Sequence, residues 1–187
     1  MKANSFDWWN MKGKKYTDKN DFRDRSMEFA SAVRNVKGSV LEIGCAFGRF
    51  CKYLDPKTQY VGMDISSYLI EQAKEQMPDK IFLKGDVTKL GEHWRNSFGT
   101  VVCCQTLEHF TWEELANIMN RIKMVAKYRL IFSVPRGMPT KRELIDDGHL
   151  IGWANDEAAI KYFEKYGKVK IIQGNNNHIC GVVNFEK

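Results

Sequence analysis

Short runs of apolar residues, rich in β-branched and aromatic side chains, recur along the chain as far as Val134. Runs of this length that are bounded by turn residues and charged residues predict buried strands. The five runs are Val40 to Ile43, Tyr60 to Asp64, Lys80 to Asp86, Thr100 to Thr106 and Arg129 to Val134.

Segments with apolar residues at helical spacing separate these runs. Hydroxyl and amide side chains precede several of the segments, as expected for helix caps. We predict helices over Thr17 to Val36, over Phe50 to Leu54, after a cap at Ser66 or Ser67, after a capping box of Thr111 and Glu114, and from Asn155 onward.

The segments "KVKIIQ" and "HICGVVNF" flank "GNNN" near the end of the chain, which predicts a hairpin. Strands that alternate with helices form a parallel sheet with helices on both faces. We therefore predict an α/β, Rossmann-like doubly wound fold, whose seven-stranded, mostly parallel sheet has an antiparallel last strand. Ligands of such sheets bind beyond the carboxyl ends of the strands.

The composition is that of one globular domain: 187 residues, 43% of them hydrophobic and 28% charged. No apolar run approaches the roughly 18 residues of a membrane span, and the N-terminus lacks a signal-peptide core. Five cysteines, with no CxxC pair, favour reduced thiols in a cytoplasmic protein and disfavour structural zinc. The net charge of +6 is spread along the chain, which is more typical of a solvated surface than of a nucleic-acid interface.

A glycine-rich turn directly follows the first predicted strand, in "VLEIGCAFGRF". A dinucleotide-binding turn has glycines at its first, third and sixth positions, which here hold Gly44, Ala46 and Arg49. The Gly-Lys-Ser/Thr end of a P-loop is also missing. An NAD-dependent oxidoreductase and a P-loop nucleotide-binding protein are therefore disfavoured.

The pattern Glu42-x-Gly44-x-Ala46-x-Gly48 resembles the first motif of the class I S-adenosylmethionine-dependent methyltransferases, with alanine at the family's middle glycine. Asp64, Asp86 and "CCQTLEHF" follow in the family's order, so the resemblance extends from Val40 to about Val134. It implies S-adenosylmethionine as the cofactor. The implied binding residues are Glu42, Gly44, Cys45, Ala46, Gly48, Asp64, Ile65, Asp86, Val87 and Gln105.

The resemblance also implies a role for several of these residues. Glu42 is expected to lie near the ammonium of the methionine part, or to accept hydrogen bonds from amides of the turn. Asp64 is expected to accept hydrogen bonds from the ribose hydroxyls, and Asp86 from the adenine amino group. Gln105 lines the methyl end. Gly44 and Gly48 are expected to let the backbone approach the methionine part of the cofactor. Simpler alternatives are a helix cap at Asp64 and a turn-forming role for Asp86.

Two histidines are candidate catalytic residues. Methyl transfer depends mainly on an oriented site. For an oxygen or nitrogen acceptor the protein can also supply a base, and neutral imidazole can accept the proton. His109 follows the fourth strand, and His149 lies in the long loop after Pro135, whereas His93 and His178 have no such placement.

The segments "TLEHF" and "GHLIGW" resemble small methyltransferases of ubiquinone and menaquinone biosynthesis. They are also similar to the catalytic domain of small-RNA 2′-O-methyltransferases, in which Glu-x-x-Glu-His and a later His hold Mg²⁺. Gln105 replaces the first of those acids here, and Glu108 is then the one carboxylate beside His109 and His149. We therefore expect no metal site.

The leading hypothesis is an enzyme that methylates an oxygen or nitrogen of a small molecule. The alternatives are an RNA-directed methyltransferase, favoured by the positive charge, and a non-catalytic cofactor-binding module. We expect a single domain over 1–187: an N-terminal lid and helix (1–37), a cofactor-binding core (38–134), and an acceptor-side part (135–187). Trp8 and Trp9 belong either to the lid or to packing against the sheet.

Overall fold

Seven strands make up the sheet in the computed structural model, which describes residues 4–19, 26–175 and 177–186. Their side chains are largely apolar and β-branched, as the sequence pattern predicted. The strands are β1 (Val40–Ile43), β2 (Tyr60–Asp64), β3 (Ile81–Lys84), β4 (Phe98–Cys104), β5 (Ala126–Pro135), β6 (Lys168–Asn175) and β7 (His178–Asn184).

The strand order is β3-β2-β1-β4-β5-β7-β6. Strands β1 to β5 pair in parallel with one another, while β7 runs antiparallel to both β5 and β6. The order reverses between β1 and β4, and doubly wound sheets bind their ligands at such a point. The predicted fold class, including the antiparallel last strand, is confirmed.

Alternate residues of the central strands feed two hydrophobic cores, one on each face of the sheet. Leu41 and Val101 belong to the core beneath the fourth and fifth helices, and Val40 and Val102 to the core on the opposite face. All four residues of β1 are buried. This double coverage explains why the strands appear in the sequence as continuous apolar runs.

Five α-helices flank the sheet within the described residues. The predicted caps are present: Ser66 Oγ accepts from Leu69 N, Thr111 and Glu114 form a capping box, and Asn155 Oδ1 accepts from Ala158 N. The helices are α1 (Phe6–Lys19), α2 (Ser26–Val33), α3 (Ser67–Gln76), α4 (Trp112–Val125) and α5 (Asp156–Phe163), and a 3₁₀ helix occupies Phe50–Tyr53.

The N-terminal prediction was wrong in its boundaries. The sequence predicted one helix over Thr17 to Val36, whereas α1 begins at Phe6 and α2 covers Ser26–Val33; residues 20–25 lie outside the described part. Helix α1 carries many lysines and few apolar residues, so its pattern is weak. It packs on α3 through Gly13, where a Cβ would lie 2.8 Å from the Leu69 side chain.

The long segment between β5 and α5 folds back over the carboxyl ends of the strands. It contains a π-helical turn, Glu143–Asp147, that ends at Gly148 with φ 69°. Leu150 N donates to Glu108 O at 2.7 Å, which ties the segment to the 3₁₀ helix Leu107–His109 after β4. The tie brings His149 next to the end of β4.

Candidate active site

A cavity of about 790 Å³ opens beyond the carboxyl ends of β1, β2 and β4. Its walls come from the glycine-rich turn, the ends of the strands, α1, and the segment that carries His149. Nine of the ten predicted cofactor-binding residues line it: Glu42, Gly44, Cys45, Ala46, Asp64, Ile65, Asp86, Val87 and Gln105. The tenth, Gly48, packs behind the turn, where a Cβ would lie 2.6 Å from the Phe82 ring.

The glycine-rich turn has three residues in the left-handed region: Gly44 at φ 72°, Ala46 at φ 47° and Gly48 at φ 70°. A Cβ on Gly44 would lie 2.2 Å from Thr106 Oγ1. Gly44 is therefore required by its own conformation and by the neighbouring Thr106 side chain. Because Gly44 also lines the cavity, a close approach of its backbone to a ligand stays a prediction. Ala46 adopts a conformation that costs a non-glycine residue about 1–2 kcal/mol.

Asp64 links the turn to the start of α3. Its Oδ2 accepts from Ala46 N at 2.9 Å and its Oδ1 from Ser66 N at 2.9 Å. The residue is 8% exposed, and burial raises the pKa of its carboxyl while the amide donors oppose that rise. A carboxylate offers about four lone-pair sites, so Asp64 retains acceptor capacity toward the cavity. The helix-start role and a ligand role are thus compatible in one side chain.

Glu42 is an acid buried at the end of β1. The Tyr60 hydroxyl donates to its Oε2, and the residue is 4% exposed. Burial raises the pKa of Glu42 to about 8, and the nearby charge of Asp64 adds to the rise. A cation in the cavity would favour the ionised form, because opposite charges stabilise each other strongly in a site of low dielectric.

Asp86 and Gln105 stand at two other edges of the cavity. Asp86 Oδ1 accepts from Thr88 N at 2.9 Å and from Thr88 Oγ1 at 2.6 Å, which begins the 3₁₀ helix Val87–Lys89. Gln105 has φ 53°, and its Nε2 donates to Ser133 Oγ at 2.8 Å. A left-handed glutamine is uncommon, and such strain often marks functional sites.

The two predicted catalytic histidines meet around one buried acid. Their Nε2 atoms lie 3.9 Å (His109) and 4.0 Å (His149) from Oε1 of Glu108, and the ring centroids are 5.1 Å apart. Glu108 is fully buried, and its carboxyl group is the acidic member of the cluster. One ligand atom from each residue fits within 4.8 Å, a spacing that could hold a metal ion.

Helix α1 and Asn4, which precedes it, supply cavity residues that are not among the ten predicted cofactor-binding residues. Trp9 packs its ring edge-to-face against His109, with centroids 4.7 Å apart, whereas Trp8 is buried behind it. Lys12 also lines the cavity; burial lowers the pKa of its ammonium group, and the acidic Asp147 opposes that change. Asn4 donates from Nδ2 to the backbone oxygens of His109 and Gly148, each at 2.9 Å. In the sequence, the adjacent Trp8 and Trp9 were the feature that could have pointed to this wall of the cavity.

Comparison with known proteins gives a family match over the centre of the chain. A family model described as a methyltransferase domain matches residues 40–128. No curated protein matches the sequence.

Solved structures with the same fold come from methyltransferases with different acceptors. Magnesium protoporphyrin IX methyltransferase from Synechocystis, with bound S-adenosylhomocysteine, has a TM-score of 0.72 at 18% identity, covering 97% of each chain. The N-methyltransferase NodS from Bradyrhizobium japonicum, also with S-adenosylhomocysteine, has a TM-score of 0.72 at 16% identity, covering 95% of this chain and 98% of that one. The CurJ carbon methyltransferase has a TM-score of 0.65 at 14% identity, and the match covers 83% of this chain and 51% of that one.

None of the helices in the described ranges has the length and apolar character needed to cross a membrane.

Proposed function

We propose that this chain, which belongs to the class I S-adenosylmethionine-dependent methyltransferases, transfers a methyl group to an oxygen or nitrogen of a small-molecule acceptor. One observation supports this most strongly: the histidine cluster and nine predicted cofactor residues line the same cavity. The volume of about 790 Å³ lies within the roughly 300–1,000 Å³ of small-molecule clefts. Such a cleft suits a cofactor with a small acceptor better than an RNA duplex.

The residues around the cavity fit S-adenosylmethionine. When bound, this molecule supplies a methyl group activated by a sulfonium. Asp64 and Asp86 would take the polar groups of the adenosine, and Glu42 would lie near the ammonium of the methionine part. The buried Glu42 carboxyl supports this placement, since a partner cation would offset the cost of ionising it.

We assign the proton transfer to the histidine cluster. His109 or His149 accepts the proton that the acceptor oxygen or nitrogen loses, and Glu108 stabilises the imidazolium that results. Trp9 and Phe110, which line the same cavity, help to exclude water from the reacting atoms. The chain's own contribution is therefore orientation, a base, and a dry site.

A cytoplasmic location belongs to the same proposal. All five cysteines are in the reduced thiol form, and four of them are buried. Reduced thiols are typical of proteins in a reducing compartment.

The acceptor class can be tested with S-adenosylmethionine labelled on its methyl group. The protein is incubated with a cell extract that has been separated into small molecules and RNA, and the labelled product is identified by mass spectrometry. We expect label in the small-molecule fraction, and a loss of roughly 10²- to 10⁴-fold for the variant of the histidine that is the base. His109→Gln and His149→Gln are compared with His93→Gln, whose residue does not line the cavity. Label confined to RNA would replace this proposal with the RNA-directed alternative.

The compactness of the cluster favours one second candidate, a divalent metal held by Glu108, His109 and His149. Two imidazoles and one carboxylate suit a transition metal better than Mg²⁺. The sequence-based expectation is a metal-free enzyme, because Gln105 replaces the first acid of the related metal motif.

Metal removal distinguishes the two candidates. We expect turnover to be unchanged by EDTA and by later addition of Mg²⁺, Mn²⁺ or Zn²⁺, because an imidazole base needs no metal. Turnover that is lost with EDTA and restored by one of these ions would establish the metal site. Binding of S-adenosylhomocysteine, measured in parallel, is the control for intact folding.

A further inference from the structure

The side-chain amide of Asn4 bridges two backbone carbonyls beside the histidine cluster. Its Nδ2 donates to His109 O and to Gly148 O, each at 2.9 Å. Within the described ranges, Asn4 Oδ1 has no hydrogen-bond partner. Since carbonyl oxygens can only accept, the amide must present its NH₂ group to them. The orientation of the Asn4 side chain is therefore set by its two partners.

Gly148 makes room for this bridge. Its φ is 69°, and a Cβ there would lie 2.6 Å from Asn4 Oδ1 and 2.9 Å from the Trp8 ring. Asn4 itself has φ 60°, a conformation that asparagine tolerates better than most residues. Asn4 and Gly148 are therefore residue types that allow the N-terminal segment and the loop after β5 to approach each other closely.

The same Gly148 carbonyl lies 3.2 Å from Nδ1 of the His109 ring. A neutral imidazole can donate to a carbonyl only from the nitrogen that carries its proton. The contact therefore selects the tautomer with the proton on Nδ1 and the lone pair on Nε2. That Nε2 atom lies 3.9 Å from Glu108 Oε1, close enough for the carboxylate to stabilise it once protonated.

We propose that Asn4 is a positioning residue that holds the Gly148 carbonyl and so keeps the proton of neutral His109 on Nδ1. Nε2 is then the atom that takes the acceptor's proton. The new bond joins the acceptor oxygen or nitrogen to the methyl carbon, and the electron pair of the broken carbon–sulfur bond stays on sulfur. The imidazolium then returns its proton to solvent. This role for Nε2 rests on the proposed function, whereas the tautomer is a property of the chain alone.

The test is ¹⁵N NMR of the histidine rings at about pH 8.5, where ordinary histidines are neutral. Ring-nitrogen shifts show which nitrogen carries the proton, and the His109 signals are those absent from His109→Gln. Asn4→Asp has the same shape but cannot donate to the two carbonyls. Asn10→Asp is the matched control: Asn10 Oδ1 accepts from Ser66 Oγ at 2.7 Å and from Tyr68 N at 3.2 Å, and a carboxylate still accepts. Both variants add one negative charge to the same part of the chain.

We expect the Nδ1–H tautomer in the wild type and in Asn10→Asp, and its loss in Asn4→Asp and in the uncharged Asn4→Ala. Turnover at neutral pH should fall roughly 10- to 100-fold in the two Asn4 variants, with the KM for S-adenosylmethionine nearly unchanged. An Nε2–H tautomer in the wild type would overturn the inference even if the variants do not fold. An unchanged tautomer in both Asn4 variants would also overturn it. The expected tautomers in a protein that methylates no acceptor would uphold the positioning role and refute the proposed base.

Discussion

Glu42 is an acid whose ionisation depends strongly on the fold. Its carboxyl is buried at the end of β1 and accepts a hydrogen bond from Tyr60, and burial raises its pKa from 4.5 to about 8. The folded protein therefore holds this proton more tightly than the unfolded chain between those two values. Because the unfolded chain loses the proton first, the free energy of unfolding falls as pH rises through this interval.

We expect Glu42→Gln to remove this pH dependence, because the amide keeps an oxygen for Tyr60 but cannot ionise. Urea denaturation at pH 5 and pH 8 measures the effect. From pH 5 to pH 8, the free energy of unfolding of the wild type should fall relative to that of Glu42→Gln. A parallel pH dependence of the two proteins would show that Glu42 is not the titrating group.

Gly44 shows what sequence can and cannot predict at this scale. The motif identified the turn, but the side chain that fills the space beside Gly44 is Thr106, which is distant in the chain. Contact between residues so far apart depends on the pairing of β1 with β4, which periodicity does not specify. Ala46 and Gln105, both left-handed without being glycine, were equally invisible in the sequence pattern.

We expect Gly44→Ala to lower the free energy of unfolding by roughly 2–5 kcal/mol, since an overpacked methyl adds to the cost of a left-handed alanine. Ala46→Gly is the matched control in the same turn, and relief of its left-handed strain should leave stability equal or higher. Denaturant unfolding of both variants gives the comparison. A Gly44→Ala protein as stable as the wild type would mean that Thr106 moves aside freely.

Elements with strong patterns were predicted well. Strands β1 and β4, and β5 from Leu130 to Val134, are covered on both faces, so they are largely apolar in sequence. Helix α4 is amphipathic and begins with a capping box. Helix α1 was missed because its surface is rich in lysine. It is stabilised by tertiary contacts instead, with Gly13 close to Leu69 and Asn10 bonded to Ser66.

Helix α1 also forms one wall of the cavity, through Trp9 and Lys12. We therefore expect S-adenosylhomocysteine to slow backbone hydrogen exchange in α1 as well as in the turn around Gly44, because a bound ligand suppresses local opening. Helix α5, which contributes no residue to the cavity, serves as the internal control. Protection of the turn without any protection of α1 would show that the helix does not close on the ligand.

In the molecule as a whole, the cavity joins segments that lie far apart in the sequence, from Asn4 to His149. The order of strands and helices allowed the sequence to predict the doubly wound fold, and with it the position of the turn, Asp64 and Asp86 at one edge. The meeting of Asn4, His109 and Gly148 could not be predicted, because it depends on how α1 and the loop after β5 pack together. The histidine pair was inferred from position, and the structure brings the two rings together.

Isothermal titration calorimetry measures whether this cavity binds the cofactor that we propose for it. We expect one equivalent of S-adenosylhomocysteine to bind and NAD not to bind. Asp64→Asn keeps the volume of the side chain but removes its charge. This substitution should weaken the binding of S-adenosylhomocysteine by roughly 1.5–3 kcal/mol, the range for hydrogen bonds to a charged group. A folded protein that binds NAD in place of S-adenosylhomocysteine, or binds neither molecule, would show that the cavity is not a site for S-adenosylmethionine.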